Sequence, residues 1–384
     1  MKTWGTTLLI LLSLFISSAL ATGLNHLIKL DESASSWIVH DGTPIYYTAV
    51  NGLHYRLADH VVTKMSYYDP DIVFGLSPQA EYRLISHLES MEQVKEGKRY
   101  SNYFVINKYD ELMYKISRWT GSDLKAPVAA VSDQGVLALV DPISAQISLY
   151  QEGEILAETQ LYGTNSDYSL ERKVRVQWQN DRCYVLIERP GENGSAPGNV
   201  IFISLNAQGL DQITKILPFT YLQQIVIKNN RFFISGYSYS PAAQKMSPLI
   251  LETDFQGNVL WTNENFGHEL VVSENAKFLA ARSSHSKLML FDLENERVEE
   301  ISFMQDGKAA LGLSVDNTGK TALIRVNSDF FVKRNTYFSE VFFPESGESL
   351  EVQMDPKYPH MFQLHSDGNQ FYLGTKHEWL ELSE

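Results

Sequence analysis

A short turn recurs about every 46 residues along this chain, each time behind an apolar, β-branched stretch, and a period of roughly 20–50 residues marks a repeat architecture. The turns are His40-Asp41-Gly42, Ser77-Pro78-Gln79, Ser132-Asp133-Gln134-Gly135, Gln179-Asn180-Asp181, Asn229-Asn230-Arg231, Ser273-Glu274-Asn275, Asp316-Asn317-Thr318-Gly319 and Ser366-Asp367-Gly368. They define eight units. Their spacing varies over roughly 37 to 55 residues, as when a core module of fixed size carries variable loops.

Between turns, runs of four to eight residues alternate or stay apolar and favour Val, Ile, Tyr and Phe, which is the strand signal. The third unit carries four such runs: Val128–Val131, Val136–Val140, Ile147–Tyr150, and Ile155–Ala157 leading into Leu161. The seventh repeats the plan at Ala310–Leu313, Thr321–Val326, Tyr337–Phe342 and Leu350–Gln353. Short connections rich in Asp, Pro, Gly and Gln pair successive strands as antiparallel hairpins. Four antiparallel strands per unit, repeated around a ring, predict an all-β fold, a β-propeller of eight four-stranded blades. Seven blades is the alternative if one of the first two units is misread, and packed β-sandwiches would fit the same spacing. The last unit holds only three strands, Met361–Leu364, Gln370–Leu373 and Trp379–Leu382. A fourth from Leu27-Ile28-Lys29-Leu30 would pair the N- and C-terminal strands in one blade and close the ring, removing exposed edges. Helical spacing is weak. Tyr82 to Lys95 reads as a strand entering a charged loop.

The first 21 residues combine Lys2, an apolar run from Leu8 to Phe15 and a small-x-small ending at Ala19-Leu20-Ala21, the pattern of a cleaved signal peptide. Residues 22–384 are then a single propeller domain, exported to a periplasm or secreted, with no transmembrane segment after cleavage. Cys183 is the sole cysteine, so no internal disulfide and no multi-thiolate zinc site can form, and no lipobox cysteine follows the leader. In the strand-like run Cys183–Ile187 it is expected as a small buried hydrophobe. The formal charge of −14 offers no basic footprint for nucleic acid, and 20 Tyr, 19 Phe and 6 Trp supply the apolar mass that a disordered acidic chain would lack.

One hairpin carries a family likeness. Asp254-Phe255-Gln256-Gly257-Asn258-Val259-Leu260-Trp261 resembles the repeat motif of quinoprotein-like propellers, and the repeat plan as a whole resembles the quinoprotein-like and WD40-like group. The resemblance implies that Asp-x-x-Gly turns the hairpin while Trp261 packs between blades. Asn206-Ala207-Gln208-Gly209 is the corresponding turn one unit earlier, without the Trp. Quinone enzymes of the group often carry a disulfide of adjacent cysteines, which this chain cannot make, so the resemblance does not extend to their chemistry. The chain is also similar in length, export and blade number to the bacterial outer-membrane assembly lipoprotein, but lacks its lipid-anchoring cysteine. Ser314–Thr321 approaches the sialidase turn motif, with its Gly displaced and Ala322 in place of the Trp.

Motifs of catalysis are incomplete. His268-Glu269-Leu270-Val271-Val272 and His377-Glu378-Trp379-Leu380-Glu381 both lack the second histidine of a zinc protease, and His360 and His365 fall on opposite faces of a strand. Gly236-Tyr237-Ser238-Tyr239-Ser240 ends in Ser where a nucleophile elbow ends in Gly. Asn193-Gly194-Ser195 is a glycosylation sequon only in a host with that pathway. The acidic run Asp292, Glu294, Glu296, Glu299 and Glu300 reads as a solvated hairpin. No catalytic residue, metal ligand or cofactor is assigned.

The a–b turns are uniformly tight, whereas four b–c connections read as long: Glu89 to Tyr100, Arg189 to Asn199, Tyr237 to Met246 and Asn327 to Asn335. Insertions gathered on one face of a repeat protein mark a binding surface. Lys98, Arg99, Arg189, Lys333 and Arg334 give these loops a basic bias on an acidic chain, and Tyr237, Tyr239, Phe330 and Phe331 are residue types enriched at interfaces. The expectation is a non-catalytic scaffold that binds a protein or an envelope polymer through this face. The alternative is a hydrolase or lyase acting on a glycan or ester in the central funnel.

Overall fold

A computed structural model describes residues 23–31, 33–40, 42–49, 53–58, 61–68, 72–88, 100–119, 127–142, 144–160, 173–189, 198–209, 211–240, 242–264, 269–282, 287–302, 308–327, 339–352 and 362–383. Its strands form eight four-stranded antiparallel sheets, the blades of a β-propeller. Blade 1 holds β2 (Ala34–His40), β3 (Thr43–Ala49), β4 (Leu53–Ala58) and β5 (Val61–Tyr68), following β1 (Gly23–Lys29). Blade 2 holds β6 (Ile72–Leu76), β7 (Tyr82–Leu88), β8 (Tyr100–Asn107) and β9 (Leu112–Trp119). Blade 3 holds β10 (Val128–Val131), β11 (Leu137–Val140), β12 (Gln146–Gln151) and β13 (Glu154–Gln160). Blade 4 holds β14 (Val174–Gln179), β15 (Arg182–Arg189), β16 (Asn199–Asn206) and β17 (Gln212–Leu217). Blade 5 holds β18 (Tyr221–Lys228), β19 (Arg231–Ser240), β20 (Lys245–Thr253) and β21 (Val259–Asn263). Blade 6 holds β22 (Leu270–Val272), β23 (Phe278–Arg282), β24 (Lys287–Asp292) and β25 (Arg297–Ser302). Blade 7 holds β26 (Lys308–Val315), β27 (Thr321–Asn327), β28 (Ser339–Phe343) and β29 (Glu348–Glu351). Blade 8 holds β30 (Gln363–Ser366), β31 (Phe371–Gly374) and β32 (Glu378–Ser383), and takes its outer strand from β1.

Eight blades, not seven, close the ring through the expected clasp. β1 pairs antiparallel with β32 from Gly23↔Ser383 to Lys29↔Glu378. Ile28 and Leu30 then pack with Trp37, Tyr47 and Trp379 across the seam to blade 1. His26 and Glu378 lie 2.5 Å apart on its surface.

The core is a ring of layers between blades rather than one centre. β15 explains the unbroken apolar run of the sequence: Cys183, Val185 and Ile187 join the layer shared with blade 3, while Tyr184 and Leu186 join the layer shared with blade 5. A period of two with both faces buried leaves no polar position. The seam between blades 1 and 2 is pinned by a buried arginine. Arg83 lies over the Tyr46 ring at 5.4 Å and reaches Asp110 at 2.5 Å, and Asp110 also takes Arg56 at 3.0 Å.

The a–b turns are as tight as expected. Asn180-Asp181 and Asn229-Asn230 each put both residues at positive φ (48° and 57°, 45° and 62°), the two-residue geometry that follows strand twist and that Asn tolerates. These turns also grip one another. Gln79 N donates to Asp133 at 2.8 Å, Asn180 Nδ2 to Asn230 at 2.5 Å, Asn275 N to Asn317 at 2.8 Å and Asn317 N to the Gly368 carbonyl at 2.8 Å. The stretch from Tyr82 is strand β7, as read from sequence. The acidic run is the β24–β25 hairpin, where Lys277 pairs with Glu294 at 3.0 Å and Lys287 with Glu300 at 2.5 Å.

Candidate binding face

Blade 5 departs from the expectation for its b–c connection. Tyr237 and Tyr239 are not in a long loop but in β19, paired with Pro248 and Met246 of β20. Alternating Tyr and Ser suit a strand, and an antiparallel partner is present, so the hairpin runs on to Ser240↔Lys245. β18 begins only at Tyr221, opposite Tyr237. Thr220 extends the pairing by one step, its N donating to the Tyr237 carbonyl at 2.7 Å while Tyr239 N donates to Thr220 Oγ1 at 3.1 Å. Beyond that point β19 and β20 pair only with each other among the described residues, as a two-stranded ribbon.

Cross-strand partners share a face of a sheet, so Tyr221, Tyr237 and Pro248 form one row and Tyr239 and Met246 the next. Tyr221 is 51% exposed. Gly236 makes the arrangement possible, because a Cβ there would fall on the Tyr221 carbonyl oxygen and against the Phe219 ring.

Basic groups from blade 4 surround the start of β18. Its register shifts between Leu222 and Gln224, and side chains take the backbone groups released there. Glu188 accepts from Leu222 N at 2.7 Å, Lys173 Nζ donates to the Leu222 carbonyl at 3.3 Å and Arg175 to the Gln223 carbonyl at 3.3 Å. Burial raises the Glu188 carboxyl above its ordinary value, against the pull of those backbone bonds and of Lys173 and Arg175. Arg189 ends β15 beside this cluster and pairs with Asn199. Of the other residues singled out in the sequence, Lys98, Arg99, Phe330, Phe331, Lys333 and Arg334 lie outside the described residues.

The central channel has a volume of about 620 Å³ and is lined by inner-strand residues of blades 1 to 5 together with Glu274. Lys228 donates to Glu274, so the charges at its a–b mouth neutralise each other. His365, on β30, packs against Trp379 with ring centroids 5.4 Å apart and planes tilted by 37°. Burial, with the Lys228 ammonium as a smaller influence, depresses its pKa to about 4, so the imidazole is neutral at pH 7. Cys183 is fully buried and burial pushes its thiol well up, which removes it as a nucleophile. Among the described residues no group of three or more His, Cys, Asp or Glu converges as metal ligands would.

Sequence reasoning missed a second feature, on the opposite rim. The outer strands of blades 2, 3 and 5 each carry an exposed apolar pair in their first three residues: Leu112-Met113, Ile155-Leu156 and Val259-Leu260. In every case the second residue is the extra one of a register shift. The signal was an apolar pair directly after a c–d turn, where a solvated edge needs none.

No established sequence-family profile and no curated protein sequence matches this chain. Solved structures do. BamB from Moraxella catarrhalis is 11% identical, with 94% of this chain and 100% of that one covered at a TM-score of 0.53. Sqt1 from Saccharomyces cerevisiae is 10% identical over 94% and 99% of the two chains, with a TM-score of 0.54. The C-terminal WD40 domain of Sif2 is 11% identical over 94% and 99%, with a TM-score of 0.52. At these identities the likeness establishes the fold, a propeller of the kind shared by BamB and WD40 domains, and nothing about activity.

Proposed function

We propose that this chain is an exported, non-catalytic propeller that binds a protein or an envelope polymer through its b–c face. The observation that carries the reading is the blade 5 ribbon. A hairpin that outruns its own sheet adds nothing to the ring's closure, yet Tyr239 and Met246 on it continue the face that Tyr221 and Tyr237 begin at the end of the sheet. Tyrosines on a rigid strand supply broad contact area at low entropic cost. Lys173, Arg175 and Lys245 stand exposed around them on a chain of net charge −14, which favours a partner with acidic or polar groups at its rim. The export half of the reading rests on the leader pattern of the first 21 residues. Among the described residues no helix is long and apolar enough to cross a membrane.

The test uses the full chain expressed with its own leader. Fractionation and N-terminal sequencing are expected to find it outside the cytoplasm and beginning at Thr22. Envelope material is then captured on the purified protein and on a Tyr237→Ser/Tyr239→Ser variant of unchanged circular dichroism. A partner bound by the wild type and weakened about 30-fold or more in the variant supports the ribbon as an anchor. Equal capture by both overturns it, and turnover of a glycan or ester substrate in the channel would favour a hydrolase.

A further inference from the structure

On the a–b rim, opposite the ribbon, a cleft of about 370 Å³ opens between blades 5 and 6. Its floor is aromatic: Trp261 meets Phe291 edge to face with centroids 5.2 Å apart. The likeness to quinoprotein repeats accounts for Trp261 as a packing residue, and it does bridge the blades. It does not account for the lips, Leu260 at 61% exposure and Val298 at 51%.

The charges of the cleft divide into committed and uncommitted groups. Arg231 is saturated, its Nε and Nη2 on Glu252 at 2.6 and 2.8 Å and its Nη1 on the Ala276 carbonyl at 2.6 Å. Asp292 is spent on its own turn, accepting from Asn295 N at 3.0 Å and Asn295 Nδ2 at 2.7 Å, and Arg297 faces it across the hairpin. Glu296, on the wall, pairs with no cation among the described residues, while Glu299 is the register partner of Leu290 and shares its face towards blade 7. The free charge beside the apolar floor is therefore negative.

We propose that this cleft is a docking site for an extended peptide segment that seats one large apolar side chain against Trp261 and sets a flanking lysine or arginine beside Glu296. Leu260 and Val298 cover the anchor from two sides, excluding water around a small apolar contact, the arrangement that concentrates binding energy. The segment is basic because each arginine of the lining already faces a carboxylate, Arg231 on Glu252 and Arg297 opposite Asp292, and Glu296 is the one left over.

Three fluorescein-labelled nonapeptides of glycine and serine, centred on Lys-Phe-Lys, Glu-Phe-Glu or Lys-Ser-Lys, are titrated against the full chain by anisotropy. The Lys-Phe-Lys peptide is expected to bind, with each of the others at least about tenfold weaker. Glu296→Lys/Val298→Lys, both at exposed positions, is expected to weaken the first peptide about tenfold or more with an unchanged melting curve. If that variant melts early, Leu260→Asp is used in its place. Equal binding of Lys-Phe-Lys to wild type and variant would reduce the effect to diffuse attraction by an acidic protein and overturn the site. So would equal binding of Lys-Ser-Lys, or no binding up to about 1 mM. A wild-type dimer dissolved by the variant in sedimentation would make the cleft a contact between copies, against the proposal.

Discussion

Arg325 and Glu340 form an ion pair across β27 and β28, where they are register partners with side chains only 8% and 4% exposed. The guanidinium also lies over the Phe342 ring, 3.4 Å from its centroid. Two opposite charges in contact attract by about 4 kcal/mol at an effective dielectric near 20, but each has lost several kcal/mol of hydration, so the pair as a whole is close to neutral against an apolar replacement. Removing one partner is different, because it strips a buried charge of this counterion. Arg325→Met and Glu340→Leu are each expected to cost about 3–5 kcal/mol, whereas the double variant should lie within about 1 kcal/mol of wild type. The assay is urea unfolding followed by both fluorescence and circular dichroism, since coincident transitions are needed before midpoints of a ring this large are read as free energies. If the double variant loses the sum of the two single losses, the sites are energetically independent and the reasoning from burial fails.

His365 is held neutral by burial, with a pKa of about 4 in the folded chain against an ordinary 6.5. The unfolded chain therefore takes up this proton first as the pH falls, so the contribution is intact above about pH 6.5 and is lost between there and pH 4, amounting to at most about 3 kcal/mol. His365→Phe, which keeps a ring against Trp379, should flatten the urea midpoint over that window relative to wild type; parallel pH curves would show the imidazole to be hydrated. Cys183 is expected to resist a thiol reagent in native buffer and to react within the dead time of mixing in denaturant, and rapid native labelling would mean that the blade 3–4 layer opens.

What the sequence made legible is what repeats. Strands buried on both faces, such as β11 and β15, announce themselves by unbroken apolar runs, and tight a–b turns announce themselves by Asn, Asp and Gly at positions needing positive φ. The clasp followed from counting, because the last unit was one strand short. Outer strands were harder, since β13 and β25 are largely polar and exposed and carry no periodic burial. The ribbon was misread for a local reason: Gly236 and the Pro241-Ala242-Ala243 stretch bracket Tyr237 and Tyr239 with residues that normally end strands. Gly236 is there because another backbone crosses it, a contact between residues that no local pattern encodes. The apolar pairs of blades 2, 3 and 5 escaped because a register shift breaks the alternation by which exposed and buried positions are told apart.

The two surfaces share one mechanical basis. The a–b turns are tied from blade to blade by side-chain and backbone hydrogen bonds, and apolar layers fill the seams behind them, so neither the ribbon nor the cleft has to order a scaffold on binding. Preorganisation reduces the cost of association, and it lets a small contact discriminate. It also separates the two surfaces: Tyr221 and Trp261 lie at opposite ends of the same blade, with the rigid sheet of β18 to β21 between them. The two faces are therefore expected to act additively, bridging two partners at a fixed distance rather than switching between them.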